Sequence, residues 1–125
     1  MAKVEHFEVP ADDVDRAQAF YAKAFGFTYE PWGDDMGMLR TGSDEGIGGD
    51  IHKRGGVPHP TFVITVDDLE GTLEAVVEAG GEQFGEIESM GETARYAYFK
   101  DTEGNIVGVY TDSAAAGSAG ADSAT

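Results

Sequence analysis

Residues 4–27 read VEHFEVPADDVDRAQAFYAKAFGF, and the change of period inside them decides the architecture. Val4, His6 and Glu8 alternate with Glu5, Phe7 and Val9, a period-2 pattern that predicts a short strand with two unlike faces. Phe7 and Val9 need an apolar partner, whereas His6 and Glu8 look onto water, a partner or a polar cavity. From Asp12 the period becomes helical. Val14, Ala17, Phe20, Tyr21, Ala24 and Phe25 fall on one stripe, with Asp12 or Asp13 as N-cap and Gly26 at the C-terminal stop. The spacing predicts a helix lying on a sheet.

Outward from this stretch come FTYEPW, GMLRTG and GIGGDIHKR, three strand-like pieces separated by Gly/Asp turns, so the first half reads β-α-β-β-β. The second half repeats the plan. PTFVITV is a strand whose Phe62, Ile64 and Val66 share a face, and Asp67 caps a helix whose stripe is Leu69, Leu73, Val76 and Val77, ended by Gly80 and Gly81. EQFGEIE, TARYAYFK and NIVGVYTD then give three more strands. Asp13-Val14 matches Asp68-Leu69 and Gly26 matches Gly80, an offset of about 55 residues that marks two copies of one supersecondary unit.

The bulk properties bound the rest. At 125 residues the chain is one domain, expected over residues 1–112 with module one at 1–57 and module two at 58–112; SAAAGSAGADSAT at 113–125 has nothing to bury and is a flexible tail. No apolar run approaches a membrane span, and polar residues follow Met1 where a signal peptide would be hydrophobic, which makes the cytoplasm the expected location. With no cysteine, thiolate nucleophiles and sulfur-ligated metals are excluded. Twenty-four acidic against 8 basic side chains give a net charge of -16, a field that repels nucleic acid and anionic membranes. The acidic residues are spread along the chain, as on the surfaces of proteins from salt-loving microbes, where high ionic strength removes self-repulsion.

The fold expected from these patterns is α+β: two βαβββ modules forming a curved mixed sheet around a concave cleft, with the helices outside. In each first strand the apolar face meets the helix, so His6 and Glu8 look into the cleft in one module and Thr61, Val63 and Thr65 in the other.

This pattern resembles the vicinal oxygen chelate superfamily, which includes glyoxalase I, extradiol dioxygenases and bleomycin-resistance proteins. The resemblance covers about residues 3 to 112. It is carried by HFEVPADDVDRAQAFYAKAFGF, by VDDLEGTLEAVVEAGG, and by DTEGNIVGVY, which is similar to the family's closing Asp-Pro-x-Gly-Asn turn and last strand. The resemblance implies a divalent metal held by four side chains, one from the first and one from the last strand of each module. His6 matches the first position, and aligning SDEGIGGDI with DTEGNIVGV sets Asp50 opposite Gly108. The remaining slot falls at Thr61, with His59 two residues early. Thr61 and Gly108 offer no strong donor, so the ligand count argues against a metal unless His59 or His52 completes the set; Asp50 and His52, two apart on a strand, share a face. The cofactor is left unknown.

His6 and Glu8 are the candidate catalytic residues, the imidazole because it titrates near neutrality and the carboxylate as proton shuttle. Trp32, Asp50, His52, Tyr96 and Tyr98 are the candidate substrate contacts, the aromatics offering flat walls with polar tips. Each also has a plainer reading as packing or polar lining. The Gly-rich GSDEGIGGDI lacks the Lys-Ser/Thr of a phosphate loop and opens no helix, so turns explain it, and Lys53-Arg54 rims a loop. Two functions fit: a glyoxalase-like lyase or isomerase working by proton transfer next to a carbonyl, with His6 and Glu8 or Asp50 as acid and base, or a metal-free, resistance-type protein that sequesters a small molecule. Family resemblance implies a homodimer in either case.

Overall fold

A computed structural model describes residues 2–42 and 46–113. The tail expected at 113–125 lies outside the described residues from 114 onward, as do Ser43, Asp44 and Glu45 of the Gly-rich stretch. The fold is α+β and consists of two βαβββ modules. The first runs β1 (Lys3–Ala11), α1 (Val14–Phe25), β2 (Thr28–Pro31), β3 (Met36–Arg40) and β4 (Gly48–Lys53). The second runs β5 (Thr61–Thr65), α2 (Leu69–Glu78), β6 (Glu82–Met90), β7 (Ala94–Lys100) and β8 (Ile106–Asp112). The chain divides into two compact units, Glu5–Phe62 and Val63 onward, the latter taking in the first residues of the chain. No helix among the described residues is long and apolar enough to cross a membrane.

Within the first unit the strand order is β2-β3-β4-β1, and within the second β6-β7-β8-β5, the same order built twice. In each, the first strand pairs in parallel with the last and the remaining pairs are antiparallel. A parallel pair needs a long crossover, and the helix with its following hairpin supplies it.

Both helices begin at an aspartate. The Asp13 side chain accepts from the Arg16 amide, and Asp68 accepts from the Gly71 amide, each at 3.0 Å. Such caps contribute about 1 kcal/mol. The second cap is Asp68, not Asp67, because Asp68 is the residue with extended backbone just before the first helical turn. Asp12 takes no part in capping; its carboxylate holds Arg54 at 2.8 Å. At the other end of α1, Gly26 adopts φ 77, a left-handed conformation that stops the helix at little cost.

Each module packs its sheet on its own helix. In the first, Ala11, Val14, Leu39 and Ile51 are buried, with Phe7, Val9, Ala17, Tyr21, Phe27 and Tyr29 against them. Gly49 belongs to this face: a Cβ there would collide with the ring and carbonyl of Phe7. In the second, Val66, Leu69, Leu73, Ala97 and Val109 are buried, with Ile64, Ile87 and Phe99 around them. Five of the predicted apolar positions are not covered. Phe20, Ala24 and Phe25 are exposed, Phe25 at 62%, and so are Phe62 and, at 57%, Val77. A helix resting on one sheet buries only a stripe about 100° wide. Val14, Ala17 and Tyr21 fill it, leaving Phe20 and Phe25 at its margin, where their rings meet Tyr21 and each other. Val76 and Val77 cannot both lie inside such a stripe, and Phe62 precedes the stretch of β5 paired to β8, which starts at Val63.

Candidate functional site

The candidate site lies on the face of the first module turned away from α1. Alternation along β1 sends Phe7 and Val9 to the helix and His6 and Glu8 to the opposite face, as their period predicts. The parallel register sets Glu8 beside Asp50 and Pro10 beside His52, so Asp50 and His52 of β4 share that opposite face. Across β3 the register positions of Asp50 and His52 are taken by Met38 and Met36.

Asp50 is the centre of the group. It is 4% exposed, and each of its oxygens meets a different imidazole. Oδ2 lies 3.0 Å from His6 Nε2, and Oδ1 lies 2.8 Å from His52 Nδ1. Burial pushes the Asp50 carboxyl up, but the hydrogen bonds from His52 and His6, with their charges, outweigh it and hold the group below its ordinary value. The hydrogen bond to Asp50 raises the His52 imidazole; burial opposes it, and the charges of Asp50 and Glu8 add to the rise. Asp50 is therefore a buried carboxylate, kept ionised by two histidines.

A ring nitrogen of His6 and one carboxylate oxygen each from Glu8 and Asp50 lie within 4.8 Å of one another. One imidazole and two carboxylates suit a borderline or hard divalent ion, and three protein ligands is the number a catalytic site usually provides. The 3.0 Å between His6 Nε2 and Asp50 Oδ2 also matches the spacing of about 3 Å between neighbouring ligands whose bonds are about 2.1 Å long. The residues present fit such an ion. The ligand count made from the sequence missed Glu8 as a third donor, although the period-2 alternation already put it on the His6 face.

The second module offers nothing equivalent at its last strand. Val63 stands beside Gly108 as Glu8 stands beside Asp50. A Cβ at Gly108 would lie 3.2 Å from Val63 Cγ2 and 3.3 Å from the Tyr98 ring, so that position is filled by its neighbours. Tyr98 lies opposite Gly108 and Tyr96 opposite Tyr110, on the face away from α2, with their rings edge to face at 6.1 Å. Both tyrosines, like Thr61, are half-buried. Trp32, 49% exposed, follows the edge strand β2 and is separated from β1 by β3 and β4. His59 sits in the exposed loop before β5 with Nδ1 on the Pro60 carbonyl and is not one of the three clustered donors. Arg54 does rim a loop, tying Asp12 and the Pro58 carbonyl together.

The profile of the Glyoxalase/Bleomycin resistance protein/Dioxygenase superfamily matches residues 3–109. The chain belongs to this superfamily. A glyoxylase-like domain-containing protein of Didymella fabae is 33% identical over 122 residues, spanning 87% of this chain and 93% of that protein. A solved glyoxalase/bleomycin resistance protein/dioxygenase superfamily member from Vibrio splendidus 12B01 is similar in fold, with a TM-score of 0.66 at 17% identity over 90% of this chain and 100% of its own. Methylmalonyl-CoA epimerase from Mycobacterium tuberculosis is similar at a TM-score of 0.60 and 16% identity, covering 87% of each chain. In this glyoxalase-like chain the polar group His6, Glu8, Asp50 and His52 is gathered in the first module.

Proposed function

We propose that the chain binds a small carbonyl compound against the His6–Glu8–Asp50–His52 face and moves a proton at the carbon beside the carbonyl, as a lyase or isomerase. The observation that carries this reading is the Asp50 carboxylate joined to two imidazoles with Glu8 at its side. We assign the base to Glu8, whose carboxylate stands beside Asp50 on the face of His6. Its carboxylate takes the proton from carbon, the C–H electron pair moves into the enolate, and the His6 imidazole, which donates from Nε2 to Asp50, accepts a hydrogen bond from the substrate hydroxyl at its other nitrogen. Returning the proton to the same or a neighbouring carbon completes an isomerisation. A divalent ion held by His6, Glu8 and Asp50 would polarise the carbonyl and acidify the adjacent C–H.

An epimerase shares this fold, and epimerases invert a stereocentre, which makes proton movement at carbon a natural chemistry for the scaffold. A coenzyme A thioester suits this chain poorly. Its net charge of -16 and the Glu8–Asp50 pair favour an uncharged substrate over a polyanion. We further propose a cytoplasmic protein that forms a homodimer, for which the exposed Phe20 and Phe25 rings offer apolar surface.

A second reading, sequestration of a small molecule without turnover, is favoured by Gly108, where the second module contributes no donor. One experiment separates the two. Incubation with hydroxyacetone and related uncharged hydroxyketones in deuterated water, followed by NMR, reads deuterium entering the carbon next to the carbonyl. Catalysed exchange that Glu8→Gln abolishes supports proton transfer; binding without exchange supports sequestration; neither binding nor exchange across such compounds overturns both.

A further inference from the structure

His52 stands one full pleat along β4 from Asp50, so the two side chains leave the same face and Nδ1 reaches Oδ1 at 2.8 Å. The other oxygen, Oδ2, takes His6 Nε2 at 3.0 Å. An aspartate's terminal torsion is broad, with no staggered wells to fix it. A carboxylate pinned at one oxygen has its second oxygen set in direction. The neighbouring register positions on β3 belong to Met38 and Met36, thioethers that accept hydrogen bonds only weakly, so the two histidines hold the carboxylate without competition from that strand.

We infer that His52 is a positioning residue: by holding Asp50 Oδ1 it fixes the direction of Oδ2, and through Oδ2 it fixes the ring and tautomer of His6, with Nε2 protonated and Nδ1 presented to the ligand. His52 thus acts at one remove and need not touch the substrate itself. The inference rests on the proton-transfer reading for its purpose, while its physical content concerns His6 alone. At a site holding an ion, where Nε2 would be free of its proton, the His52 bond would still order the Asp50 carboxylate through its far oxygen.

The test uses the full chain labelled with 15N at histidine, without any ligand. The measured quantities are the tautomer of His6, from long-range proton–nitrogen spectra, and the solvent-exchange rate of its Nε2 proton. The wild type should show the Nε2-protonated tautomer alone with a slowly exchanging proton. His52→Ala should speed that exchange about tenfold, the equivalent of one lost hydrogen bond, and admit the other tautomer. His52→Asn places an amide N–H close to where Nδ1 stood and should restore both readouts; a role in packing alone would leave the alanine and asparagine variants alike. Should His52→Ala fail to fold, His52→Gln, whose donor sits one bond further out, should still exchange faster than His52→Asn. Exchange and tautomer within twofold of wild type in the alanine or glutamine variant would overturn the inference. Failure of Glu8-dependent deuterium exchange would overturn the proton-transfer reading and leave these His6 measurements intact.

Discussion

Asp50 and Gly108 occupy the same register position in the two modules, one beside Glu8 and the other beside Val63, yet one carries a buried carboxylate and the other no side chain at all. The fold supplies the position twice and a side-chain donor stands at it once. In the second module Val63 and Tyr98 close over the site, so the asymmetry is one of packing as well as of residue type.

Restoring the missing carboxylate should therefore be costly. Gly108→Asp pushes a Cβ against Val63 and Tyr98 and buries a carboxylate with no histidine to accept from. Overpacking of this kind destabilises by about 1–3 kcal/mol, and the unpaired polar group adds to that. Gly108→Ala, with the steric part alone, should cost less. Urea unfolding of the two variants checks the order; an aspartate variant as stable as the wild type would show that the site relaxes freely.

Asp50→Asn should bring His52 back toward its ordinary value of 6.5, since the hydrogen bond to the carboxylate is the main cause of its rise. The sign follows from linkage. A raised folded-state value stabilises the protein fully below the unfolded value and is lost as pH rises through the folded one. Wild type should thus lose this contribution as pH rises above 6.5, and the asparagine variant should lack that slope. Breaking two charge-assisted hydrogen bonds to a buried group should also cost about 1–3 kcal/mol at acidic pH. Histidine NMR titration and unfolding curves across pH 5–9 measure both.

Much of this was legible from local pattern. The period-2 stretch at Val4–Val9 sent His6 and Glu8 away from the helix, and the 55-residue offset gave two like modules, because strand alternation and helix caps are short-range rules. The pairing of both Asp50 oxygens was not legible. It depends on the parallel register of β1 with β4, two strands 44 residues apart at His6 and Asp50, and register is a tertiary choice. The same limit explains Phe20 and Val77. Helical spacing shows which residues share a side, but the width of the sheet beneath decides how many of them are covered.

That distinction has a measurable consequence in the second module. Leu69 is fully buried against Leu73 and Val109, so Leu69→Ala should cost about 2–5 kcal/mol. Val77 lies on the same helix but is exposed, and Val77→Ala should stay within about 0.5 kcal/mol of wild type. Chemical denaturation of the pair tests where the apolar stripe ends.

Salt should stabilise this chain. With a net charge of -16 the folded state repels itself, and ions at about 1 M shorten the reach of that repulsion to about 3 Å. The melting temperature should climb between dilute buffer and molar potassium chloride, and neutralising an exposed glutamate such as Glu74, flanked on α2 by Glu70 and Glu78, should reduce the climb. A flat or falling curve would remove self-repulsion as the dominant surface term.

Acid should act partly through the second module's ion pair. Arg95 donates from both terminal nitrogens to Glu70, at 2.6 and 3.0 Å, bracing the first turn of α2 against β7. The hydrogen bond from Arg95 is the main reason the Glu70 carboxyl is pulled down from 4.5 to about 2. A depressed value stabilises the fold above the unfolded value and loses that contribution as pH falls through the folded one. The loss should therefore begin near pH 4.5 and finish near pH 2. Because both side chains are solvent-exposed, the effect should be small and should fade with added salt. Glu70→Gln keeps one acceptor oxygen but no charge, so its stability should fall less steeply between pH 4.5 and 2 than that of the wild type, with the two curves converging at the acid end. Thermal melts of both proteins at low and high ionic strength across that window decide the matter: parallel curves would mean that the pair contributes nothing to stability, however good its geometry.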